Sequence, residues 1–258
     1  MARCQSFCLA FMFANFTLPP VSKEKTKTGS WETTKTVIYA VVLALIFRSF
    51  LFEPFHIPSG SMKANLLVGD YLFVSKYKYG YSRYSFPFGL GLFDGRIFAD
   101  EPERGDVAVF RKPGHESVDF IKRVIGLPGD TIQMRNGVVY LNGEAIPKEP
   151  VEDFRFHDEF LQSDMAIAQY EETLPSGLKY KVLDETTYGV VDNTKEYTVP
   201  EGHYFMMGDN RDNSTDSRYM DDVGFVPYEN FVGKAEIVVL SIGENIVPRW
   251  DRFFTWIR

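Results

Sequence analysis

Ser61 and Lys122 are the residues of this 258-residue chain best placed for covalent chemistry. A serine hydroxyl is a weak nucleophile until a base takes its proton. In Pro58-Ser59-Gly60-Ser61-Met62 the proline fixes the approach and Gly60 lets the backbone turn tightly, so the Ser61 side chain and N–H can both face a cleft. Ser59, two residues earlier, can add its hydroxyl to that N–H as an oxyanion donor. The base candidate lies in Phe120-Ile121-Lys122-Arg123. Read as a strand, this segment puts Phe120, Lys122 and Val124 on one face and Ile121, Arg123 and Ile125 on the other. Desolvation among apolar neighbours lowers a lysine pKa from about 10.4. A neutral lysine is a competent general base. Taken singly, each segment also has an ordinary reading, as a Ser/Gly turn and as a lysine snorkelling from a sheet edge.

A third polar segment runs Gly208-Asp209-Asn210-Arg211-Asp212-Asn213-Ser214-Thr215-Asp216-Ser217-Arg218. Short polar residues at this density hydrogen-bond locally and build rigid loops. A calcium loop would use Asp212, Ser214 and Asp216, but Ser217 stands where that motif needs glycine and Val223 where it needs a bidentate glutamate. The better reading is a supporting layer, with carboxylates paired to Arg211 and Arg218 and a Ser214 hydroxyl orienting Lys122. His56, His115, His157 and His203 have neither a G-x-S-x-G partner nor H-E-x-x-H spacing.

These groups need a scaffold and a location. Val37 to Phe47 reads VIYAVVLALIF, and SFLF follows after Arg48. From Val37 to Phe52 a helix spans roughly 24 Å, short of a roughly 30 Å hydrocarbon core unless Thr33, Thr34 and Thr36 extend it. Lys23, Lys25, Lys27 and Lys35 precede the segment whereas Glu53 and Pro54 follow it, which predicts the N-terminus inside and the remainder outside. Bulky residues from Phe50 to Ile57 leave no small-x-small cleavage site, so the segment reads as a retained anchor. Cys4 to Leu18 is a second, shorter apolar stretch that could be a weak span, an interfacial segment or an extension.

Beyond Pro58 the pattern is β. Tyr71 to Val74, Asp106 to Phe110 and Glu236 to Leu240 are short β-branched and aromatic runs, and Asn136-Gly137 predicts a two-residue hairpin. Tyr77, Tyr79 and Tyr81 alternate like one face of a strand, either packed or turned to lipid. Residues 145–200 become acidic and carry no catalytic signature. The expected organisation is an N-terminal tail (1–32), a transmembrane anchor (33–52), an all-β catalytic core (53–144 and 201–258) and an inserted β-rich subdomain (145–200). Net charge of −7 argues against nucleic-acid binding. Both cysteines, Cys4 and Cys8, precede residue 9, so the body holds no disulfide and no thiolate metal site.

Together the segments resemble bacterial type I signal peptidases, membrane-anchored Ser-Lys proteases of the secretory pathway. The match runs through Ile57 to Met62, Gly69-Asp70, Gly105-Asp106-Val107, Phe120 to Arg123, Gly126 to Asp130 and Gly208 to Arg218. The resemblance implies Ser61 as nucleophile, Lys122 as general base and Ser59 as side-chain oxyanion donor. It also implies that Ser214 bonds the lysine while Asp209, Asp216 and Arg218 hold the loop below. The implied partners are secretory preproteins, cut after small-x-small sequences, and the phospholipid of the cytoplasmic membrane, with no cofactor or metal required. One departure stands out: where the family usually has x-Pro-Thr-Leu after Ser-Met, this chain has Lys63-Ala64-Asn65-Leu66. A related Ser-Lys peptidase with a dedicated substrate, or an inactive anchored β-domain that binds exported chains, are the alternative readings.

Overall fold

The computed structural model describes residues 30–85, 95–98, 100–158, 163–243 and 246–257. The 1–29 stretch, with both cysteines and the Cys4 to Leu18 segment, lies outside the described residues. Helix α1 (Ser30–Phe50) begins ahead of the expected start at residue 33. Its 21 residues correspond to about 31 Å, enough to match a hydrocarbon core. It is the one helix among the described residues long and apolar enough to cross a membrane. Ile38, Val42, Leu45 and Ile46 all lie exposed along it, as lipid-facing side chains do and core side chains do not.

The remainder is mostly antiparallel β, as the strand-period runs predict. An eight-stranded sheet carries β1 (Phe52–His56), β2 (Asp70–Ser75), β16 (Phe231–Ser241), β3 (Val107–Lys112), β4 (His115–Gly126), β14 (His203–Met207) and β15 (Val226–Pro227) in that order, with β17 (Thr255–Trp256) paired to β16. Phe52–His56, within the bulky Phe50 to Ile57 run, is hydrogen-bonded along β2, and Phe55 packs on the core. Strands β3 and β4 form a hairpin in which Ala108 faces Lys122 and Val107 faces Arg123.

A second sheet holds β5 (Thr131–Arg135), β6 (Val138–Leu141), β7 (Glu144–Ala145) and β13 (Tyr197–Thr198). Its β5–β6 turn is Asn136-Gly137, with φ of 49° and 74°, the positive pair that a type I′ hairpin requires. Strands β8 (Lys148–Pro150), β11 (Gln169–Thr173) and β12 (Lys179–Leu183) form a third sheet, and β9 (Phe154–Asp158) pairs with β10 (Ser163–Ile167). Leu174, Tyr180 and Val182 from the 145–200 segment share a buried cluster with Ile125, Ile132 and Phe205. A second cluster gathers Ile57, Met62, Leu66, Leu72 and Val109, so the residues flanking Ser61 are anchored in core.

The tyrosine alternation does not form a strand. Tyr77 to Tyr79 lie in a turn that follows β2, closed by Gly80 at φ 74°. Tyr79 points inward at 2% exposure, and its hydroxyl donates to Asp106 Oδ2 at 2.9 Å. Chain reversal at Gly80 overrides the period-two pattern, and a buried phenol needs a partner that Asp106 supplies.

Candidate active site

Ser61 sits at the start of a turn whose backbone is tied down from both sides. Lys63 N–H bonds Gly60 O and Leu66 N–H bonds Met62 O, while Asn210 N–H donates to Ser61 O at 3.0 Å. Asn210 Nδ2 adds a bond to Gly60 O at 3.0 Å, so one side chain clamps the peptide before the serine. Gly208 is required here by space: a Cβ on it would lie 2.1 Å from Ser214 Oγ and 2.6 Å from Ser61 O. The Ser61 N–H makes no hydrogen bond among the described residues, and Ser59 stands exposed on the rim of the same groove.

Lys122 reaches the serine from β4. Its Nζ donates to Ser61 Oγ at 2.6 Å and to Ile121 O at 3.0 Å, with the Phe120 ring centroid 5.2 Å away. The residue is 4% exposed. Burial pulls the ammonium pKa down to about 8, against the carboxylates of Asp216 and Asp209, which favour the charged form, and with help from Arg218. Desolvation wins because neither carboxylate is free to pair with the lysine: each is held by an arginine.

Those arginines build the layer beneath. Arg123, on the face of β4 opposite Lys122, gives Nε and Nη2 to Asp209 at 2.9 and 2.8 Å and Nη1 to Gly105 O at 2.7 Å. Arg218 donates Nε to Asp216 Oδ1 at 2.8 Å and Nη2 to Oδ2 at 2.9 Å. Burial pushes the Asp216 carboxyl up, but Arg218, the Gly208 N–H and the Ser214 hydroxyl outweigh it and hold the group below its ordinary value. Ser214 Oγ donates to Asp216 Oδ2 at 2.7 Å, so its hydroxyl is directed at the aspartate rather than at Lys122. Its partner is therefore different from the one the resemblance implies.

The pairing read from the loop also changes in part. Arg218 pairs within the loop with Asp216, but Asp209 takes Arg123, and Arg211 turns to Glu172 on β11. Arg211 Nη1 and Nη2 reach the two Glu172 oxygens at 2.6 and 2.5 Å, and the Tyr180 hydroxyl donates to Glu172 Oε2 at 2.6 Å. Backbone bonds join the same elements: Leu183 N–H to Asp209 O and Arg211 N–H to Leu183 O, both at 2.8 Å. Arg123, Asn210 and Gly208, which lie inside the sequence motifs without a role read for them, and Glu172, outside the motifs, thus support the site. A charged Arg123 on a strand face shared with Ile121 and Ile125 was the available signal for a buried ion pair.

The departure after Met62 also has a structural account. Asn65 Nδ2 donates to Asp209 Oδ2 and to Lys181 O, both at 2.7 Å, joining the nucleophile turn to the supporting carboxylate. Ala64 adopts φ 137°, a course closed to proline, whose ring holds φ near −65°.

A groove of about 550 Å³ opens over the pair. Phe55, Ile57, Pro58, Val109, Val118, Phe120 and Ile121 give it apolar walls, and Ser59, Asn213 and Thr215 stand at its polar edge. His56 also lines the groove, exposed and packed 4.9 Å from the Tyr71 ring, but the hydrogen-bond partner of Ser61 Oγ is Lys122.

A buried serine bonded to a desolvated lysine on an antiparallel β body suits the class of serine-type peptidases. The chain belongs to the signal peptidase family, peptidase S26, whose model matches residues 30–240. It is 44% identical over 241 residues to signal peptidase I of Rickettsia canadensis (strain McKiel), covering 88% of this chain and 86% of that one. It is 43% identical over 245 residues to signal peptidase I of Rickettsia typhi (strain ATCC VR-144 / Wilmington), covering 90% and 88%. Among solved structures, a signal peptidase I from Enterococcus faecalis V583 matches at 28% identity with a TM-score of 0.31, over 52% of this chain and 97% of the other.

Proposed function

We propose that this protein removes N-terminal signal peptides from exported preproteins, with Ser61 as nucleophile and Lys122 as general base. The observation that carries the reading is the 2.6 Å contact between Lys122 Nζ and Ser61 Oγ inside an apolar groove. When the lysine is neutral, its lone pair accepts the Ser61 proton as Oγ attacks the scissile carbonyl. The Ser61 N–H and the Ser59 hydroxyl then hold the tetrahedral oxyanion. Lys122, now an ammonium, gives its proton to the leaving amine and next deprotonates the water that hydrolyses the acyl-enzyme. Asp209, Asp216, Arg218 and Ser214 touch neither reacting atom; they keep the loop rigid, and Ser214 acts on Lys122 through Asp216.

The apolar walls favour extended peptide with small side chains at the first and third positions before the cut, since larger ones meet Pro58, Phe120 and Ile121. Helix α1, which covers most of residues 33–52, anchors the enzyme with the N-terminus inside and the β body at the outer face of the cytoplasmic membrane, where its preprotein substrates are also tethered; 53–144 with 201–258 form the catalytic unit and 145–200 the insertion. Cleavage of a preprotein by the full chain in detergent micelles, with the N-terminus of the product sequenced, tests this. Release after a small-x-small site is the expected result. Cutting elsewhere, or binding without cutting, would replace it with a dedicated peptidase or an inactive carrier.

A further inference from the structure

We propose that Asp184, Asp192 and Asp212 bind a calcium-class divalent cation that pins the polar loop of the site to the 145–200 segment. One carboxylate oxygen from each lies within 4.8 Å of the others. Oxygens on opposite sides of one calcium are separated by about 4.6–5.2 Å, so a single ion can bridge such a spread. Clustered carboxylates alone would not carry the assignment, but Asp184 adds an independent observation. It is 4% exposed, and its Oδ1 is buried with no hydrogen-bond partner among the described residues, while its Oδ2 is taken by Lys148. A buried, unsatisfied carboxylate oxygen costs free energy that a cation would recover.

The other two carboxylates are braced for the same role. Asp192 Oδ2 accepts the Gly189 N–H at 2.6 Å, and Asp212 Oδ2 accepts the N–H groups of Glu185 and Thr186 at 2.6 and 3.1 Å. Gly189 permits this approach: a Cβ there would lie 2.9 Å from Asp212 Oδ1 and 3.0 Å from Asp192 Oδ2. The three aspartates and the Lys148 ammonium leave two net negative charges, the complement of one divalent ion. Hard oxygen donors exclude thiophilic metals, and bidentate carboxylates with water complete the coordination of calcium.

Asp212 precedes Asn213 and Thr215, which edge the groove. The ion would therefore steady one edge of the substrate groove from outside the reacting pair. Asp212 serves this site rather than a loop motif with Ser214 and Asp216, whose side chains are committed to each other.

The test uses the full chain in detergent micelles with calcium chloride as the probe. Isothermal titration after chelation is expected to show one calcium bound per chain. Melting in about 5 mM calcium rather than chelator is expected to raise Tm by about 5 °C. Asp212→Asn, half-buried at the loop, and Asp192→Asn should each abolish both effects. Absence of stoichiometric binding to the wild type overturns the proposal, as does an unchanged calcium shift in both variants.

Discussion

Replacing Lys122 with methionine removes the charge and keeps most of the length of the side chain, so it isolates what the site costs the fold. The ammonium pKa falls from 10.5 to about 8 on burial, which corresponds to about 3 kcal/mol of penalty on the charged form at neutral pH. The variant escapes that penalty but loses the bonds to Ser61 Oγ and Ile121 O, each worth about 1 kcal/mol. At pH 7 Lys122→Met should therefore be more stable than wild type by about 1 kcal/mol. Because the folded pKa lies below the unfolded one, the unfolded chain binds more protons between the two values, and wild-type stability rises with pH across that window. From pH 7 to pH 9.5 the wild type should gain about 2 kcal/mol on the variant, which reverses their order. Urea unfolding of both proteins in detergent micelles at the two pH values, followed by tryptophan emission, measures the difference. Titrating tyrosines and other lysines cancel between the two chains. A stability difference that is the same at both pH values would refute the desolvated lysine.

Three other variants probe the supporting layer. Gly208→Ala places a methyl against Ser214 Oγ and Ser61 O, and moving the nucleophile by such a clash should lower kcat/KM by about a hundredfold while the chain stays folded by circular dichroism. Glu172→Ala strands the buried Arg211 guanidinium and should cost about 3–5 kcal/mol in urea unfolding, although Glu172 lies outside the groove. Ala64→Gly relieves a φ of 137° and should raise stability by about 1 kcal/mol, seen as a higher Tm.

The reactive pair was legible because local chemistry marks it: a serine in a Pro/Gly turn, and a lysine whose strand neighbours are apolar. Strand alternation alone puts Lys122 and Arg123 on opposite faces of β4, and the Asn136-Gly137 turn forms the hairpin its positive φ values demand. The ion-pair partners were not legible, because they are chosen by tertiary proximity. Asp209 finds Arg123 across 86 residues and Arg211 finds Glu172 across 39, although Arg211 lies close to Asp209 in the same loop. Tyr77 to Tyr81 failed for the opposite reason, since a turn at Gly80 broke a pattern too short to outvote it. Helix α1 ends at Phe50, short of the end of the apolar run, because Phe52–His56 pairs along β2 and that pairing competes with helix.

The central claim is that Lys122 takes the proton of Ser61, and the pH dependence of preprotein cleavage tests it most directly. In wild type, kcat/KM should rise about tenfold per pH unit below neutrality and level off above an inflection near the free-enzyme lysine pKa of about 8. Ser61→Ala and Lys122→Ala should each lower cleavage by at least about a thousandfold at every pH. Cleavage by Lys122→Ala within tenfold of wild type, or a wild-type inflection that disappears in His56→Ala, would contradict the assignment and transfer the role of base to the histidine in the groove.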